Sequence, residues 1–479
     1  MAYVVSVEAE PETPLYVAIA RAIAGDIARN RLRHGERLPG ERTLAASLGV
    51  NRNTVHAALQ ELVAQGWLEP QPARGMFVRA PSPAERPRPF ARGLELRAEV
   101  PARPGFELEP RAPVIEPAEG LQLTGGVPDP RLFPHAIYTR AYRRVLARRG
   151  AQLLDYGGPY GEASLRRGLA EMLSRQRGLA ARAQDVMITR GSQQAIWLAA
   201  HALLRPGDRI GVEQYGYPPA WRAFRATGAE LVPLAVDAEG VRIDALEQAF
   251  KTGLRALYLT PHHQYPTMVA LSAQRRLRLL QLAREHRCAI LEDDYAHEFH
   301  FQGRPRLPLA SADHHGSVIY IGTLSKILMP GLRIGYAVAP RPVLEAMATL
   351  RSVIDRQGDL PSEAAVAELI EDGELERHTR RMRRIYEQRR DVLARALHDA
   401  LPERVSFTLP PGGMAFWIRV HGREPRRWVE RARARGVVFR AGADYALAPQ
   451  ASVPFVRMGF TRLDERELRQ AVKLAARAF

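Results

Sequence analysis

Near the start of the chain, apolar residues recur every three or four positions, which predicts an amphipathic helix. The apolar face of this helix consists of Leu15, Ile19, Ala22, Ile23 and Ile27. A short second helix is predicted over 43–48, and Gly49 ends it. Asn51 is a suitable N-cap for a third helix. The buried stripe of that third helix consists of Val55, Leu59, Leu62 and Val63.

Two short strands around 67–68 and 76–78 follow the three helices and form a predicted β-wing. We assign this compact unit to residues 11–79. Residues 80–120 are dense in Pro, Arg and Glu without a sustained period, which predicts an extended linker.

From residue 121 to the end, short β-type runs alternate with amphipathic helical segments. The runs are DVMITR, DRIGVE, RALYLTP, CAILED, SVIYIG and RIGYAVAP. This alternation predicts an α/β domain over 121–479 with a mostly parallel sheet. In such sheets ligands bind at the carboxyl ends of the strands, and the polar residues of these runs stand at those ends.

Charge and cysteine content narrow the class of protein. The 479 residues include 69 Lys+Arg against 52 Asp+Glu, a net charge of +17, which favours a polyanionic partner such as DNA. The one cysteine and the lack of a signal peptide or an apolar run long enough to span a membrane exclude disulfide-rich secreted and integral membrane proteins. We expect a cytoplasmic protein without membrane contact.

Lysine is rare, and Lys326 is the lysine that stands among other candidate site residues. The other lysines are Lys251 and Lys473, and arginine, the usual cation of this chain, cannot form an imine. Lys326 lies in GTLSKILMPGLRIGY, and the run LEDDY supplies carboxylates and a tyrosine at another strand end. A Gly-Ser-Gln opening of a helix at 191–193 is suited to a phosphate. This set matches pyridoxal 5′-phosphate (PLP), and we expect no metal.

The segment LPGERTLAASLGVNRNTVHAALQELVAQGWL resembles the GntR-type winged helix-turn-helix. In that fold the third helix enters the major groove of double-stranded DNA. The residues that the resemblance implies as DNA contacts are Arg42, Arg52, Asn53, Thr54 and Arg74.

The second stretch resembles the fold-type I aminotransferase domain of class I and II enzymes. The resemblance rests on segments that include LDYGGPYGEASLRRGLAEML, LTPHHQYPT, LEDDYAHEF, GTLSKILMPGLRIGY and FVRMGF. Joined to the winged helix, the chain resembles the MocR/GabR-type bacterial transcription regulators. The resemblance implies a large mostly parallel sheet, a smaller C-terminal α+β domain and a homodimer with a domain-swapped arrangement.

The resemblance also implies roles for individual residues. Lys326 is the Schiff-base lysine, Asp293 pairs with the pyridine nitrogen, Tyr295 bonds the phenolic oxygen and Tyr217 stacks on the ring. The implied phosphate-binding residues are Ser192, Gln193, Thr323, Ser325 and Arg333. Tyr156 would reach the partner subunit's phosphate, either His263 or Gln264 would lie near the ring oxygen, and Arg457 would bind the carboxylate of an effector.

Two departures from the family pattern bear on the site. Met268 stands where a glycine commonly follows Pro-Thr, which affects the local turn and the space for an effector. Asp293 and Tyr295 are two positions apart where three are usual in many aminotransferases, so Asp294 is the alternative partner of the pyridine nitrogen.

The leading hypothesis is a PLP-dependent transcription regulator that senses an amino compound or PLP itself through its aminotransferase-like domain. The alternative is a working aminotransferase with an accessory DNA-binding domain, because all residues for proton transfer are present. A third hypothesis, a scaffold that has lost its cofactor, is disfavoured by the intact Lys326, Asp293 and Tyr295.

Overall fold

The structure is a computed structural model that describes residues 5–7, 13–72, 74–79, 107, 119–303, 306–448 and 453–479. The chain divides into two compact units, Met1–Ile115 and Glu116–Phe479. Almost all of the predicted linker, 80–120, lies outside the described residues. In the described part of the chain, no helix has the length and apolarity needed to cross a membrane.

The first unit has three helices followed by an antiparallel hairpin, as the sequence predicts. Its elements are α1 (Leu15–Ala28), α2 (Glu41–Leu48), α3 (Arg52–Ala64), β1 (Leu68–Gln71) and β2 (Gly75–Val78). Gly49 ends α2 in the left-handed region at φ 66°, where glycine carries no side-chain penalty. Asn51 caps α3 by accepting a hydrogen bond from the Asn53 backbone N–H.

The core of the first unit joins α1 to α3. Ile19 and Ile23 of α1 and Leu62 of α3 are fully buried in one cluster. Leu15, predicted on the same face, begins the first turn of α1 and stays 41% exposed. The buried face of this helix therefore begins at Ala18.

The second unit contains a large sheet and a smaller one. Its strands are β3 (Leu121–Gln122), β4 (Val186–Thr189), β5 (Arg209–Glu213), β6 (Glu230–Leu234), β7 (Val236–Asp237), β8 (Gly240–Val241), β9 (Leu254–Leu259), β10 (Ala289–Asp294), β11 (Val318–Thr323), β12 (Gly335–Val338), β13 (Val405–Ser406), β14 (Ala415–Val420), β15 (Val437–Val438), β16 (Arg440–Ala441) and β17 (Phe455–Gly459). Its α-helices are α4 (His135–Leu153), α5 (Ala163–Arg177), α6 (Ser192–Leu203), α7 (Pro218–Arg225), α8 (Ile243–Phe250), α9 (Ala273–Glu285), α10 (Arg341–Ile354), α11 (Leu360–Glu371), α12 (Glu374–Ala400), α13 (Pro425–Arg433) and α14 (Glu465–Ala478).

The large sheet has seven strands in the order β4-β12-β11-β10-β9-β5-β6. Only β12 runs antiparallel to its neighbours in this sheet, which confirms the predicted mostly parallel sheet. Side chains alternate between its two faces. Ile188 and Tyr336 pack on one face with α5 and α11, whereas Met187 and Ala337 pack on the other with α6 and α10.

The smaller sheet, in the order β13-β14-β17-β16, lies in the C-terminal part. It shares a core with α12, α13 and α14, in which Trp428 is fully buried and donates its indole N–H to the Ala475 carbonyl at 2.9 Å. The predicted C-terminal α+β region is therefore present.

Candidate functional site

The carboxyl end of the large sheet carries the candidate site. Asp293 stands near the end of β10, Lys326 follows β11, and Tyr217 lies after β5 at the N-cap of α7. The order of the strands places β5, β9, β10 and β11 side by side, so residues distant in sequence meet at one edge.

Lys326 is half-buried at this edge. A Cβ at Gly126 would lie 3.8 Å from its ammonium nitrogen, so the loop after β3 approaches the lysine closely. Desolvation, helped by the charge of Arg457, lowers the pKa of Lys326 to about 8. A larger share of this amine is therefore neutral near physiological pH than for an ordinary lysine.

The two adjacent carboxylates of β10 have different partners, because successive side chains of a strand point to opposite faces. Asp293 Oδ2 accepts a hydrogen bond from the Tyr258 hydroxyl at 2.7 Å. Asp294 Oδ2 accepts from Tyr320 at 2.8 Å and from His297 at 2.9 Å. Burial raises the pKa of Asp293 to about 6, although the Tyr258 hydrogen bond opposes this. Asp293, not Asp294, is the carboxylate whose surroundings include Lys326.

Several predicted phosphate-binding residues meet around the turn between β4 and α6. Gly191 has φ 74°, and a Cβ there would lie 2.9 Å from Arg333 Nη2. Arg333 reaches across to donate to the Arg190 carbonyl at 2.8 Å. Ser192 begins α6, whose free N–H groups favour an anion.

Two of the remaining phosphate candidates have a buried oxygen without a bonding partner among the described residues, namely Ser325 Oγ and Gln193 Oε1. Thr323 differs, because its hydroxyl donates to the Ile334 carbonyl at 3.3 Å and accepts from the Ser325 N–H at 3.1 Å. Thr323 thus shapes the turn that leads to Lys326.

A cluster of aromatic rings lies beside these groups, and its central member is Tyr265. Its ring centroid lies 5.5 Å from Tyr217, 5.9 Å from Tyr295 and 5.5 Å from Tyr445. Tyr265 is not among the site residues predicted from the sequence, although it stands in the segment LTPHHQYPT. The sequence instead predicts a site role for His263 or Gln264, the two residues before Tyr265.

Gln264 and His263 are both buried, but they make different contacts. The amide of Gln264 donates to the Tyr215 and Tyr265 carbonyls, each at 2.7 Å, and accepts from the Thr267 hydroxyl at 2.6 Å, so it holds the loop together. His263 packs against Gly412, where a Cβ would lie 2.5 Å from the imidazole Cε1. The role predicted for either residue near the ring oxygen stays a prediction.

Met268, at the position where a glycine is common, adopts φ 66°. This left-handed conformation is unfavourable for a side-chain-bearing residue, which explains why glycine is suited to the turn. The side chain of Met268 is buried, and its sulfur lies 3.9 Å from the Tyr295 hydroxyl. Met268 therefore occupies space next to Tyr295 that a glycine would leave open.

Arg457, on β17, is completely buried. Its Nη1 donates to the Thr124 carbonyl at 3.3 Å, and its guanidinium carbon lies 4.5 Å from the centre of the Tyr265 ring. Within the described residues, Nε and Nη2 have no hydrogen-bond partner. A buried arginine with two free donors next to an aromatic ring is suited to bind a carboxylate.

Tyr156 does not join this buried group. It is 76% exposed, and the guanidinium of Arg356 lies 4.4 Å from its ring centre. Leu154, Val353 and Ile354, which stand close to this pair in the sequence, are 74%, 85% and 51% exposed. Tyr156 thus belongs to an exposed surface that carries large apolar side chains.

In the first unit, the predicted DNA contacts surround the start of α3. Arg42, Arg52, Asn53 and Arg74 are exposed, and Thr54 is half-buried. Glu41, which the sequence analysis did not single out, accepts from Arg52 at 3.1 Å and lies 2.7 Å from His56 Nδ1. The hydrogen bond from His56 lowers the pKa of Glu41, although desolvation opposes this shift. Glu41 holds Arg52 at the exposed end of the helix.

Two family models match the chain. Residues 15–78 match the bacterial regulatory proteins of the gntR family, and residues 121–474 match aminotransferase class I and II. The TauR regulator of Rhodobacter capsulatus is 32% identical, with coverage of 96% of this chain and 95% of TauR. The probable rhizopine catabolism regulatory protein MocR of Rhizobium meliloti is 29% identical, with coverage of 98% and 94%. Both regulators match the chain across its two units.

The chain belongs to the MocR-type family of regulators. Its GntR-type helix-turn-helix makes this regulator a DNA-binding protein. The second unit alone is also similar to enzymes: aromatic-amino-acid aminotransferase 1 of Thermococcus litoralis is 33% identical, with coverage of 76% of this chain and 88% of the enzyme.

A solved structure supports the cofactor of the MocR-type chain. The α-aminoadipate aminotransferase LysN of Thermus thermophilus, complexed with N-(5′-phosphopyridoxyl)-L-leucine, has a TM-score of 0.70 and 31% identity, with coverage of 75% of this chain and 92% of LysN. PLP is the cofactor that this family and fold imply. The residues of this chain fit it, because Asp293 Oδ1, Ser325 Oγ and Gln193 Oε1 are buried polar atoms that have no partner in the described structure.

Proposed function

We propose that the regulator responds to an amino acid whose carboxylate binds Arg457 and whose amino group approaches Lys326. The observation that carries this proposal is the complete burial of Arg457 with Nε and Nη2 left without partners among the described residues. Leaving buried donors unpaired destabilises the folded protein, so pairing with these donors would strengthen the binding of a carboxylate ligand.

The cofactor-binding residues have distinct roles in this proposal. PLP, when bound, supplies an electron-withdrawing ring that carries the amino group of its ligand. Asp293 would hold a proton at the ring nitrogen, because its Oδ1 is free while Tyr258 fixes its Oδ2. Lys326 would hold the cofactor covalently, and its pKa of about 8 keeps part of the amine neutral for this purpose.

The phosphate would lie at the turn before α6, where Ser192, Gln193, Ser325 and Arg333 supply donors and the helix N-terminus supplies partial positive charge. Thr323 would contribute by keeping the shape of the turn that leads to Lys326. Tyr217 would stack on the ring, and Tyr295 would donate its hydroxyl to the phenolic oxygen. Tyr265 would separate the ring site from Arg457, since its ring contacts Tyr217, Tyr295 and the guanidinium.

The regulator would act as a homodimer. Leu154, Tyr156, Val353 and Ile354 expose a group of large apolar side chains that a second copy would cover. Tyr156, on that surface, would then face the partner subunit's phosphate. The domain-swapped arrangement stays a prediction.

Ligand exchange at Lys326 would favour one of two conformations and so change DNA binding by the winged helices. An effector shifts such an equilibrium only by its difference in affinity for the two states.

The test uses matched pairs of amino acids and the amines formed by their decarboxylation, with the full-length PLP-bound protein. We expect an amino acid to shift the visible absorption of the bound cofactor and to change the affinity for the DNA upstream of the protein's own gene. Its decarboxylated partner should need at least about tenfold higher concentration, because a charge-assisted pair contributes roughly 1.5–3 kcal/mol. Arg457→Lys should remove most of this difference. Equal responses to both members of every pair would contradict the role of Arg457.

The second candidate function is aminotransferase turnover. Its supporting observation is that Lys326, Asp293 and Tyr295 are buried or half-buried at the carboxyl end of the large sheet. Arg457, on the smaller sheet, is close enough for its charge to act on Lys326. A neutral lysine amine freed from the cofactor can move a proton as a general base. Incubation with an amino donor and a 2-oxo acid, followed by measurement of the new amino acid, decides between a single exchange and repeated turnover.

A further inference from the structure

A group of buried ligand atoms lies at the end of β10, centred on the carboxylate that does not belong to the cofactor site. It consists of His262, Asp294 and His297, which are 3%, 3% and 6% exposed. One potential ligand atom from each residue lies within 4.8 Å of the other two. The rings of His262 and His297 are 4.4 Å apart between centroids.

The polar atoms of this group are incompletely satisfied. Among the described residues, neither ring nitrogen of His262 has a hydrogen-bond partner, and Asp294 Oδ1 has none either. A buried polar atom left unpaired costs about 1–3 kcal/mol, and native structures seldom retain three of them close together. These atoms therefore indicate a ligand.

The atoms of this group that do have hydrogen-bond partners are also placed suitably for a cation. His297 Nδ1 lies 2.9 Å from Asp294 Oδ2, close enough for both atoms to bind one metal ion in place of the proton that they share. The Tyr320 hydroxyl, 2.8 Å from the same oxygen, holds the carboxylate in place.

The charge around the group permits a divalent ion. Arg177 Nη1 lies 3.9 Å from Asp294 Oδ2, but Arg177 is also paired with Glu298, which balances its charge. Arg276 is a second arginine close to His262, and Glu292 offsets its charge in part. Asp294 supplies the negative charge beside the two imidazoles. A cavity of about 310 Å³ reaches the group at His297 and leaves room there for a water ligand. Its lining includes the acidic residues Glu298 and Glu376 as well as Arg175, Arg380 and Arg383.

We propose that His262, Asp294 and His297 bind a transition-metal ion of the zinc class, with water at the fourth position. Two imidazole nitrogens and one carboxylate oxygen match the ligands of Zn²⁺, whereas Mg²⁺ and Ca²⁺ prefer oxygen ligands alone. Two atoms bound to one zinc ion lie within roughly 4.2 Å of each other, so a small rotation of the side chains closes the group around the ion. We expect no metal from the sequence. His262 is distant in the chain from Asp294 and His297, and the three residues meet only in the fold.

The test measures zinc binding by the full-length PLP-bound protein after treatment with a chelator and dialysis. The probes are ZnCl₂ alone, with metal content measured by mass spectrometry, and Co²⁺, whose visible bands report coordination by nitrogen. We expect one zinc ion per chain. His297→Ala and His262→Phe should each weaken zinc binding at least about tenfold. His314→Ala, which changes an exposed histidine, is the matched control and should bind as the wild type does.

His262→Phe keeps the proposal falsifiable if His297→Ala folds poorly, because it replaces two unpaired buried nitrogens by apolar atoms of similar shape and should fold. The cofactor absorption of each variant checks that its fold is intact. Absence of stoichiometric zinc in the wild type would overturn the proposal. So would zinc binding by His262→Phe equal to that of the wild type, which would locate the metal elsewhere.

Discussion

The neighbouring carboxylates Asp293 and Asp294 illustrate how residues of one type acquire different roles. Each accepts a hydrogen bond from a buried tyrosine, at 2.7 Å from Tyr258 and at 2.8 Å from Tyr320. Only Asp293 shares its surroundings with Lys326. Because adjacent strand residues point to opposite faces, Asp293 shares the face of Lys326, where we propose that the cofactor binds, and Asp294 lies with its histidines.

We expect Tyr258→Phe to weaken PLP binding about five- to tenfold, because loss of this hydroxyl frees Asp293 Oδ2 and removes a charge-assisted hydrogen bond. The measurement is a fluorescence or absorption titration of the cofactor-free protein with PLP. Tyr320→Phe is the matched control, since it removes the same hydroxyl from Asp294, and it should leave PLP affinity within a factor of two. If the two variants exchanged their effects, Asp294 would be the partner of the pyridine nitrogen.

The residues found from the sequence are those whose chemistry is visible locally. Lys326 and Asp293 stand in short polar segments that follow or end apolar runs, and Arg457 is the charged residue within the apolar segment FVRMGF. Tyr258 and Tyr445 were missed, because they reach the site only through the order of strands and the packing of the C-terminal part.

At the scale of elements, the start of α3 depends on a single cap. Asn51→Ala should destabilise α3 by about 1 kcal/mol, because the Asn51 side chain satisfies the free Asn53 N–H. Hydrogen–deuterium exchange of peptides from α3 should therefore become roughly fivefold faster in the full-length protein. Gln60→Ala, at an exposed position of the same helix, is the control and should leave exchange nearly unchanged. Equal exchange in Asn51→Ala and wild type would show that tertiary packing alone fixes this helix.

The elements most accurately predicted are those with local signals at their ends. Gly49 and Asn51 mark the turn before α3, and the structure places the helix boundaries there. The antiparallel direction of β12 carries no such signal, because RIGYAVAP is as apolar as the parallel strands beside it. The position of α2 was predicted two residues too late, since Glu41 and Arg42 are polar positions of its first turn.

At the scale of the whole molecule, the exposed apolar group around Tyr156 predicts a homodimer. Val353→Glu should convert the dimer to a monomer at micromolar concentration, because it would bury a charge in the interface. Light scattering should give twice the mass of one chain for the wild type and a single-chain mass for the variant. Leu277→Glu is the control, since Leu277 is 68% exposed on α9, and it should remain dimeric. A monomeric wild type with full PLP occupancy would contradict the shared site.

The central claim is that the first unit contacts DNA and the second unit senses an amino acid. The measurement is an anisotropy titration of wild type, Arg52→Ala and Lys326→Ala on the DNA upstream of the protein's own gene, at two salt concentrations. Arg52→Ala should weaken DNA binding by roughly 1–3 kcal/mol, or lower the salt slope by about one if Arg52 contacts a phosphate, and should leave the PLP absorption unchanged. Lys326→Ala should keep its DNA affinity but lose the visible absorption of the bound cofactor and the response to the effector. DNA binding by Arg52→Ala equal to that of the wild type, together with binding by a protein that lacks residues 1–79, would contradict the account.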